Sequence, residues 1–361
     1  MASIQQPRPI AVALGDIHLD PLIWTRWSAV TGDSFLGYRS FLDVAARLQV
    51  PAIIVGDLFD VAKPTPDMVR FHRECMDLCQ RQHVPVYALQ GNHDKQPGRS
   101  WASATHDWPV YVGDGTPFRL SDDIQATALD YATLDEIEPL VRGVRTPVLF
   151  LHQAVKQALG FEHAWNCDLD WIPEEVRLTV LGDIHQPLDF VIGNGRRACY
   201  TGAGHARDIT QVTDKSVVVI HDDLTYTRVP IPSRQIQRFE VRTQQDLDAA
   251  ASWLSKAAVV GGLKPLAWLA ASAEMAASCA ELRSSEQTAG RALVVTERLS
   301  EDVVESETVA ATIVDDDISP VAQLSKMVPQ EKDPELFGLI SELIDDRQNM
   351  MDIITRRKSS C

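Results

Sequence analysis

The sequence predicts an α/β protein built on a mainly parallel sheet, followed by a smaller second unit. Three features predict it: short, wholly apolar runs in the first hundred residues, helical spacing between them, and a glycine followed by an acid or amide after each run. Strands that lack polar alternation belong to sheets covered on both faces. The chain has 361 residues, 45% hydrophobic and 23% charged, an ordinary globular composition for two or three domains. A chain of that size buries enough surface to need no disulfide staples.

The first strand is expected over residues 10–14, ending at Gly15-Asp16. Phe35, Phe41, Leu42, Ala45 and Leu48 then recur at helical spacing. A second buried strand is expected over 52–55, ending at Gly56-Asp57, then a helix over 68–78. A third strand over 84–89 ends at Gly91-Asn92-His93. Strand signals with fewer helices follow, over 118–120, 124–129, 147–151, 177–181, 190–192, 198–200, 216–220 and 225–229. Pro230-Ile231-Pro232 reads as a linker.

Beyond the linker a small α+β unit is expected, with Ala-rich helices near 245–259 and 265–282 and a strand over 292–295. An acidic loop holds Asp315, Asp316 and Asp317. A last helix opens at Asp333-Pro334-Glu335: an N-cap, a proline at the first helical position and an acid on the dipole. Leu336, Ile340, Leu343, Met350 and Ile354 form one stripe along it. The domain boundaries that follow are 1–232, 233–318 and 319–361.

The formal charge is −16, from 34 basic and 50 acidic residues. That excludes a protein that coats nucleic acid by bulk charge. Much of the deficit lies in residues 301–350, which hold 3 basic and 13 acidic residues. No run of 18 apolar residues occurs, so no membrane span is expected, and the N-terminus reads as a strand rather than a signal peptide. Six scattered cysteines fit a reducing, cytoplasmic compartment. Cys75 and Cys79 are the one close pair, and without a second pair they are a weak zinc signal. Cys361 is the last residue and makes no prenylation box.

The chemistry is expected at five strand ends. These are Gly15-Asp16-Ile17-His18, Gly56-Asp57-Leu58-Phe59-Asp60, Gly91-Asn92-His93-Asp94, Leu151-His152-Gln153 and Gly182-Asp183-Ile184-His185. Loops after the carboxyl ends of strands in α/β sheets converge on one crevice. Five such loops would gather Asp, Asn and His donors around a common point, a suitable set for two divalent metals. A glycine before each acid or amide would let the backbone turn and approach closely.

This order of motifs resembles the calcineurin-like metallophosphoesterases over about residues 9–230, and within them the SbcD-type nuclease subunits of double-strand-break repair. Gly56-Asp57-Leu58-Phe59-Asp60 with Pro64, and Tyr200-Thr201-Gly202-Ala203, carry the nuclease likeness. The resemblance implies a metallophosphoesterase β-sandwich flanked by helices, a small α+β capping domain and C-terminal helices. It implies that Asp16, His18, Asp57 and His185 bind one metal, and that Asp57, Asn92, His152 and Asp183 bind the second, with Asp57 bridging. His93 would act on the leaving oxygen, with Asp60 and Asp94 as candidates to hold its ring. Asp183 departs from the family's usual histidine. It either ligates, adding a negative charge that favours manganese or magnesium, or is too short to reach.

The implied activity is a manganese- or magnesium-dependent DNA nuclease in repair, recombination or degradation. It would act as an exonuclease on duplex ends, with endonuclease action on single strands as a second implied activity. The implied partners are DNA and an SbcC-like SMC-family ATPase, in a homodimer within a heterotetramer; the 333–355 helix would grip that ATPase or fold back on its own domain. A phosphomonoesterase or nucleotide phosphatase on the same site is the alternative enzyme, and a catalytically weakened scaffold the alternative to an enzyme. Lys63, Arg99, Arg196, Arg197 and Arg207 are candidate DNA contacts. Trp24, Trp27, Trp101 and Trp108 suit base stacking or, more simply, packing. His72, His83, His106, His163 and His221 read as surface or satisfied histidines, while His205 lies where it could approach phosphate.

Overall fold

In the computed structural model the described residues are 7–20, 29–96, 99–100, 109–159, 165–207, 211 and 214–299. The chain opens with β1 (Pro9–Leu14), α1 (Asp33–Leu48), β2 (Ala52–Val55), α2 (Pro66–Arg81) and β3 (Val86–Leu89). Short strands follow: β4 (Lys95–Gln96), β5 (Arg99–Ser100), β6 (Val110–Tyr111) and β7 (Phe118–Arg119). Then come β8 (Gln125–Leu129), α3 (Leu134–Arg142), β9 (Val148–His152), β10 (Leu178–Gly182), β11 (Leu188–Ile192) and β12 (Arg196–Tyr200). β13 (Ser216–His221) and β14 (Tyr226–Pro230) complete the larger body. The smaller one is β15 (Ile236–Val241), α4 (Gln244–Lys256), β16 (Leu266–Ala271), α5 (Ala276–Ala289) and β17 (Leu293–Arg298).

Two six-stranded sheets form the larger body, in orders β14-β13-β1-β2-β3-β6 and β11-β12-β10-β9-β8-β7. Parity along each central strand sorts its apolar side chains. Ala13, Ile53, Val55, Phe150, Leu178 and Val180 fill the space between the sheets. Val12, Leu14, Ala52 and Ile54 face α1 and α2, where Tyr38, Phe41, Met68, Cys75 and Cys79 meet them. Leu149, Leu151 and Leu181 face α3 through Ile137 and Val141. The expected strands are apolar on both faces because one face meets helices and the other meets a second sheet.

Local rules account for the helices. Thr65 caps α2, its hydroxyl accepting from the Met68 N–H, with Pro66 at the first helical position. Cys75 and Cys79 sit on the inner face of α2, and burial pushes their thiols up to about 12 and about 11. They are core residues here, not a zinc pair. α3 was not legible in the sequence because Pro139 lies inside it. Thr133 and Glu136 start the helix with a capping box.

The small unit differs from expectation in two ways. Residues 266–271, expected within an Ala-rich helix, form β16, and the helix begins only at Ala276. β16 is the central strand between β15 and β17, and all six of its residues are buried, so tertiary packing overrides alanine's helix propensity. All pairs in this sheet are parallel and helices alternate with strands, so the unit is α/β rather than α+β. Leu266, Trp268, Val295 and Ile236 pack with Val30 and Ala206 of the larger body.

The linker at 230–235 is anchored. Ile231 is buried with the α1–α2 core, and Arg234 makes a two-pronged ion pair with Asp33, both contacts 2.8 Å. Arg234 also donates to the carbonyls of Thr31 and Lys264, both at 2.7 Å, tying the two bodies together. No helix among the described residues is long and apolar enough to cross a membrane. The helix expected over 333–355 and the loop at Asp315–Asp317 lie outside the described residues.

Removing one partner of the Asp33–Arg234 pair strands the other as a buried charge, at a cost of about 3–5 kcal/mol. Asp33→Ala and Arg234→Ala should each lower unfolding free energy in urea by that order. The double substitution should lose less than the two singles added together. Additive losses would mean that the two residues are not coupled.

Candidate metal centre

Five strand ends build the centre. β1 leads to Asp16 and His18, β2 to Asp57 and Asp60, β3 to Asn92 and His93, β9 ends at His152, and β10 leads to Asp183 and His185. Three strands come from one sheet and two from the other, so the centre sits where the carboxyl ends of both sheets meet. Asp16, His18, Asp57 and Asp183 hold left-handed backbone, with φ of 52°, 40°, 50° and 95°. Non-glycine residues avoid that region, so strain is concentrated at this site.

The glycines serve another purpose than the sequence suggested. Of the four that precede these acids and amides, only Gly56 has a positive φ, 81°. A Cβ on Gly15 would lie 2.8 Å from the Val55 carbonyl oxygen; one on Gly182 would strike that same oxygen, and one on Gly91 would strike the Asp57 carboxylate. The strand ends pack too closely for any side chain there.

His152 Nδ1 lies 2.8 Å from the Val55 carbonyl and donates to it, which turns the Nε2 lone pair inward. That Nε2 is 3.3 Å from Asp57 Oδ2, 3.1 Å from Asn92 Oδ1 and 3.8 Å from Asp183 Oδ1. On the other side of Asp57, its Oδ2 is 3.5 Å from His18 Nε2. His18 Nε2 is 3.0 Å from His185 Nε2, and His185 Nε2 is 3.6 Å from Asp16 Oδ1. Two imidazole nitrogens that close repel unless a proton or a cation lies between them.

These donors fit divalent cations. Metal bonds of about 2.0–2.2 Å imply ligand-to-ligand edges of roughly 3.0–3.6 Å, close to the spacings found here. Ligand atoms of Asp16, His18 and His185 lie within 4.8 Å of one another, as do those of Asp16, Asp57 and His152. Asp183 approaches the second group, and its backbone N–H donates to both Asp16 oxygens, at 3.1 and 3.2 Å. The oxygen-rich donor set suits manganese or magnesium chemistry.

The electrostatics favour a cation. Burial, with Asp57 adding, raises Asp16 above the usual carboxylate range despite His185 and His152. Burial pushes Asp183 up to about 7, reinforced by Asp16 and Asp57 against the pull of His152. Asp57 also feels burial, but His152 and His93 bring it below its ordinary value. Burial would lower His152, yet Asp57 raises it well above the ordinary histidine value. His18 is driven well below that value by burial and by Arg207.

His93 sits at the mouth of the centre, its side chain 19% exposed against 0% for His18 and His152. Its Nδ1 lies 2.8 Å from the Asp60 main-chain carbonyl, and its main-chain N–H donates to Asp57 Oδ1 at 3.0 Å. The Asp60 carboxylate is 4.0 Å from that Nδ1 and turns instead toward Arg207 at 3.0 Å and His18 Nδ1 at 3.1 Å. Asp94, expected beside the His93 ring, accepts from the main-chain N–H groups of Leu58, Phe59 and Gly91. It clamps two strand-end loops together, and burial with Asp57 pushes it up to about 7.

The expected DNA contacts separate. Arg196 gives its guanidinium to the carbonyls of Gly193, Ile172 and Pro173 at 2.9, 2.8 and 2.7 Å, so it holds a loop. Arg197 pairs in register with Leu178, at the start of β10, while the centre lies beyond that strand's end. Five residues at about 3.3 Å each put it roughly 16 Å from Asp183. Both arginines therefore stand at the end of β12 away from the centre, despite their nearness in sequence to the last motif. Lys63 is exposed in the turn after Asp60. The Arg99 side chain, Trp24, Trp27, Trp101, Trp108, His106 and His163 lie outside the described residues.

Arg207, by contrast, reaches the centre: Nη1 is 3.2 Å from His18 Nε2. Its place beside His18 carried no sequence signal, since 189 residues separate the two. Gln211, 3.4 Å from His185 Nδ1, was not singled out, and Thr201, whose hydroxyl accepts from the Gly15 N–H at 2.8 Å, was noted only within the Tyr200–Ala203 motif. His72 is a core histidine whose Nδ1 lies 2.9 Å from the Tyr38 hydroxyl. His205 is buried, and burial and Lys215 drive it well below the ordinary value.

Residues 11–187 match the family model described as calcineurin-like phosphoesterase. The chain is 23% identical over 222 residues to the DNA double-strand break repair protein Mre11 of Methanosarcina acetivorans, covering 56% of this chain and 35% of that protein. It is 25% identical over 162 residues to the protein of the same name from Saccharolobus solfataricus, covering 41% and 42%. The chain thus spans less than half the length of these relatives. A dimetal phosphatase structure from Danio rerio aligns at a TM-score of 0.41 and 10% identity, over 62% of this chain and 99% of that one.

Because Asp183 is raised to about 7, the folded protein holds a proton there that the unfolded chain has released above pH 4 or so. That proton difference makes ionised Asp183 a destabilising group whose cost grows from about pH 4 to 7. Chelator-stripped Asp183→Asn should therefore melt higher than wild type at pH 7.5, with the advantage vanishing toward pH 4. Manganese should reverse the order at pH 7.5, by stabilising wild type more. A variant that melts lower than wild type without metal at pH 7.5 would contradict this.

Proposed function

We propose that the calcineurin-like phosphoesterase domain of residues 11–187 hydrolyses phosphodiester bonds in DNA, using two divalent cations, manganese foremost. The observation that carries this reading is Asp57 Oδ2, which neighbours His18 on one side and His152 on the other. One carboxylate between two nitrogen and oxygen donor groups is the arrangement two adjacent cations require. Asp16, His18, Asp57 and His185 hold the first; Asp57, Asn92, His152 and Asp183 hold the second. When bound, such cations polarise phosphate oxygens and lower the pKa of water.

His93 does the protein's own chemistry. The Asp60 carbonyl holds Nδ1 and so directs the opposite ring edge toward the opening. From there His93 gives a proton to the leaving 3′ oxygen as that bond breaks. No serine or cysteine nucleophile takes part, and the described cysteines are buried. Asp94 acts by fixing the loops that carry Asp57 and His93, and Asp60 by steadying Arg207. Lys63 and Arg207 are the DNA contacts that this geometry favours.

The rest of the assembly belongs to the same reading. Residues 1–232 form the nuclease unit, 233–318 a cap and 319–361 a segment that binds an SbcC-like ATPase, in a dimer that acts on DNA ends in the cytoplasm. The likeness to Mre11 proteins and the anchored α/β unit after Pro230 support this division. The five cysteines among the described residues are free, which suits a reducing compartment.

Digestion of end-labelled duplex and single-stranded DNA with manganese tests the activity. Wild type should degrade DNA and be far less active on para-nitrophenyl phosphate; the opposite preference would favour a phosphomonoesterase. His93→Ala should bind manganese as wild type does while turnover falls by roughly 100-fold or more, the size of a general-acid contribution. Wild-type turnover in that variant would remove His93 from the mechanism.

A further inference from the structure

Arg207 touches two groups of the centre at once. Nη1 is 3.2 Å from His18 Nε2, and Nη2 is 3.0 Å from Asp60 Oδ1. A guanidinium only donates, so the imidazole nitrogen accepts. That same nitrogen lies 3.0 Å from His185 Nε2 and 3.5 Å from Asp57 Oδ2, among the donors assigned to the first cation. An imidazole nitrogen has one in-plane lone pair. It can accept an N–H from Arg207 or bind a cation, but not both.

The contact is built in rather than casual. The Arg207 side chain is only 15% exposed, and its second prong is fixed by a charged partner. Asp60 serves as a tether: the guanidinium can turn away from His18 without leaving the site. The second donor group, around His152, makes no such contact with Arg207 among the bonds described, and its Nε2 is set by the Val55 carbonyl. The two positions therefore differ in what a cation must displace.

We propose that Arg207 is an internal competitor for the first cation, so that loading at His18 proceeds by displacing the guanidinium and is weaker than loading at His152. This rests on the two-cation reading above. It makes the first position the one that empties first as metal becomes scarce. Arg207 is then a positioning residue that sets how readily the centre is filled.

Manganese titration of the chelator-stripped full chain by calorimetry tests this without recourse to activity. Wild type should bind two ions, one more weakly. Arg207→Ala should tighten the weaker step by roughly tenfold, the size of a charged hydrogen bond no longer surrendered, and leave the tighter step unchanged. Arg207→Lys keeps the charge but loses the two-pronged grip, and should fall between them. The melting temperatures of the stripped variants report whether each has folded. An unchanged or weakened first step in Arg207→Ala would overturn the proposal. So would Arg207→Lys binding as wild type does, because charge alone would then explain the effect. A wild-type chain that binds no manganese would overturn the two-cation reading itself, and this proposal with it.

Discussion

Three carboxylates, those of Asp16, Asp57 and Asp183, are buried in one crevice, and the rest of the centre is arranged around that constraint. Ionised carboxylates out of water are costly unless paired. Their neighbours are mostly imidazoles, which are weak and conditional counter-charges. The result is visible in opposite shifts within a few ångströms: Asp183 and Asp16 are held up toward protonation, while Asp57 is held down. An arrangement that cannot neutralise itself with its own side chains is one prepared for positive charge from outside the chain.

The sandwich makes that arrangement possible. A single parallel sheet would bring its loops into one row; two sheets facing each other bring β1, β2 and β3 against β9 and β10. Val55 shows how tightly the ends are fitted. Its carbonyl accepts from His152 and is also the atom that excludes a side chain at Gly15 and Gly182. One backbone oxygen thus sets a ring's tautomer and fixes the spacing between the sheets. The strained backbone at Asp16, His18, Asp57 and Asp183 is held by this packing, since none of those residues would choose it alone.

Most of the larger body was legible in the sequence because its signals are local. Apolar runs of four to six residues with glycine and acid at their ends mark buried parallel strands and their carboxyl termini at once. What local pattern cannot carry is direction and depth. Arg196 and Arg197 follow the last motif closely in sequence, yet the chain has turned back through β11 before reaching them, so they lie at the far ends of the strands. Residues 266–271 read as helix because alanine favours it, and only the flanking strands β15 and β17 decide otherwise. Arg207 was noticed as a basic residue, but its meeting with His18 is a tertiary fact with no counterpart in spacing.

The balance of charge ties these points together. A chain with a formal charge of −16 is a poor general attractor for a polyanion. Two of the described cations near the centre are engaged by carboxylates: Lys95 holds Asp130 at 2.8 Å, and Arg207 holds Asp60 at 3.0 Å. On the proposed reading, attraction for a phosphate backbone would arise mainly where cations are bound, at the place where the phosphate would be cut. Electrostatic recognition and catalysis would coincide in space, and an empty centre would repel the substrate that a filled one holds. On that reading a net charge of −16 would itself add selectivity, because an acidic chain offers a polyanion little reason to settle away from bound cations.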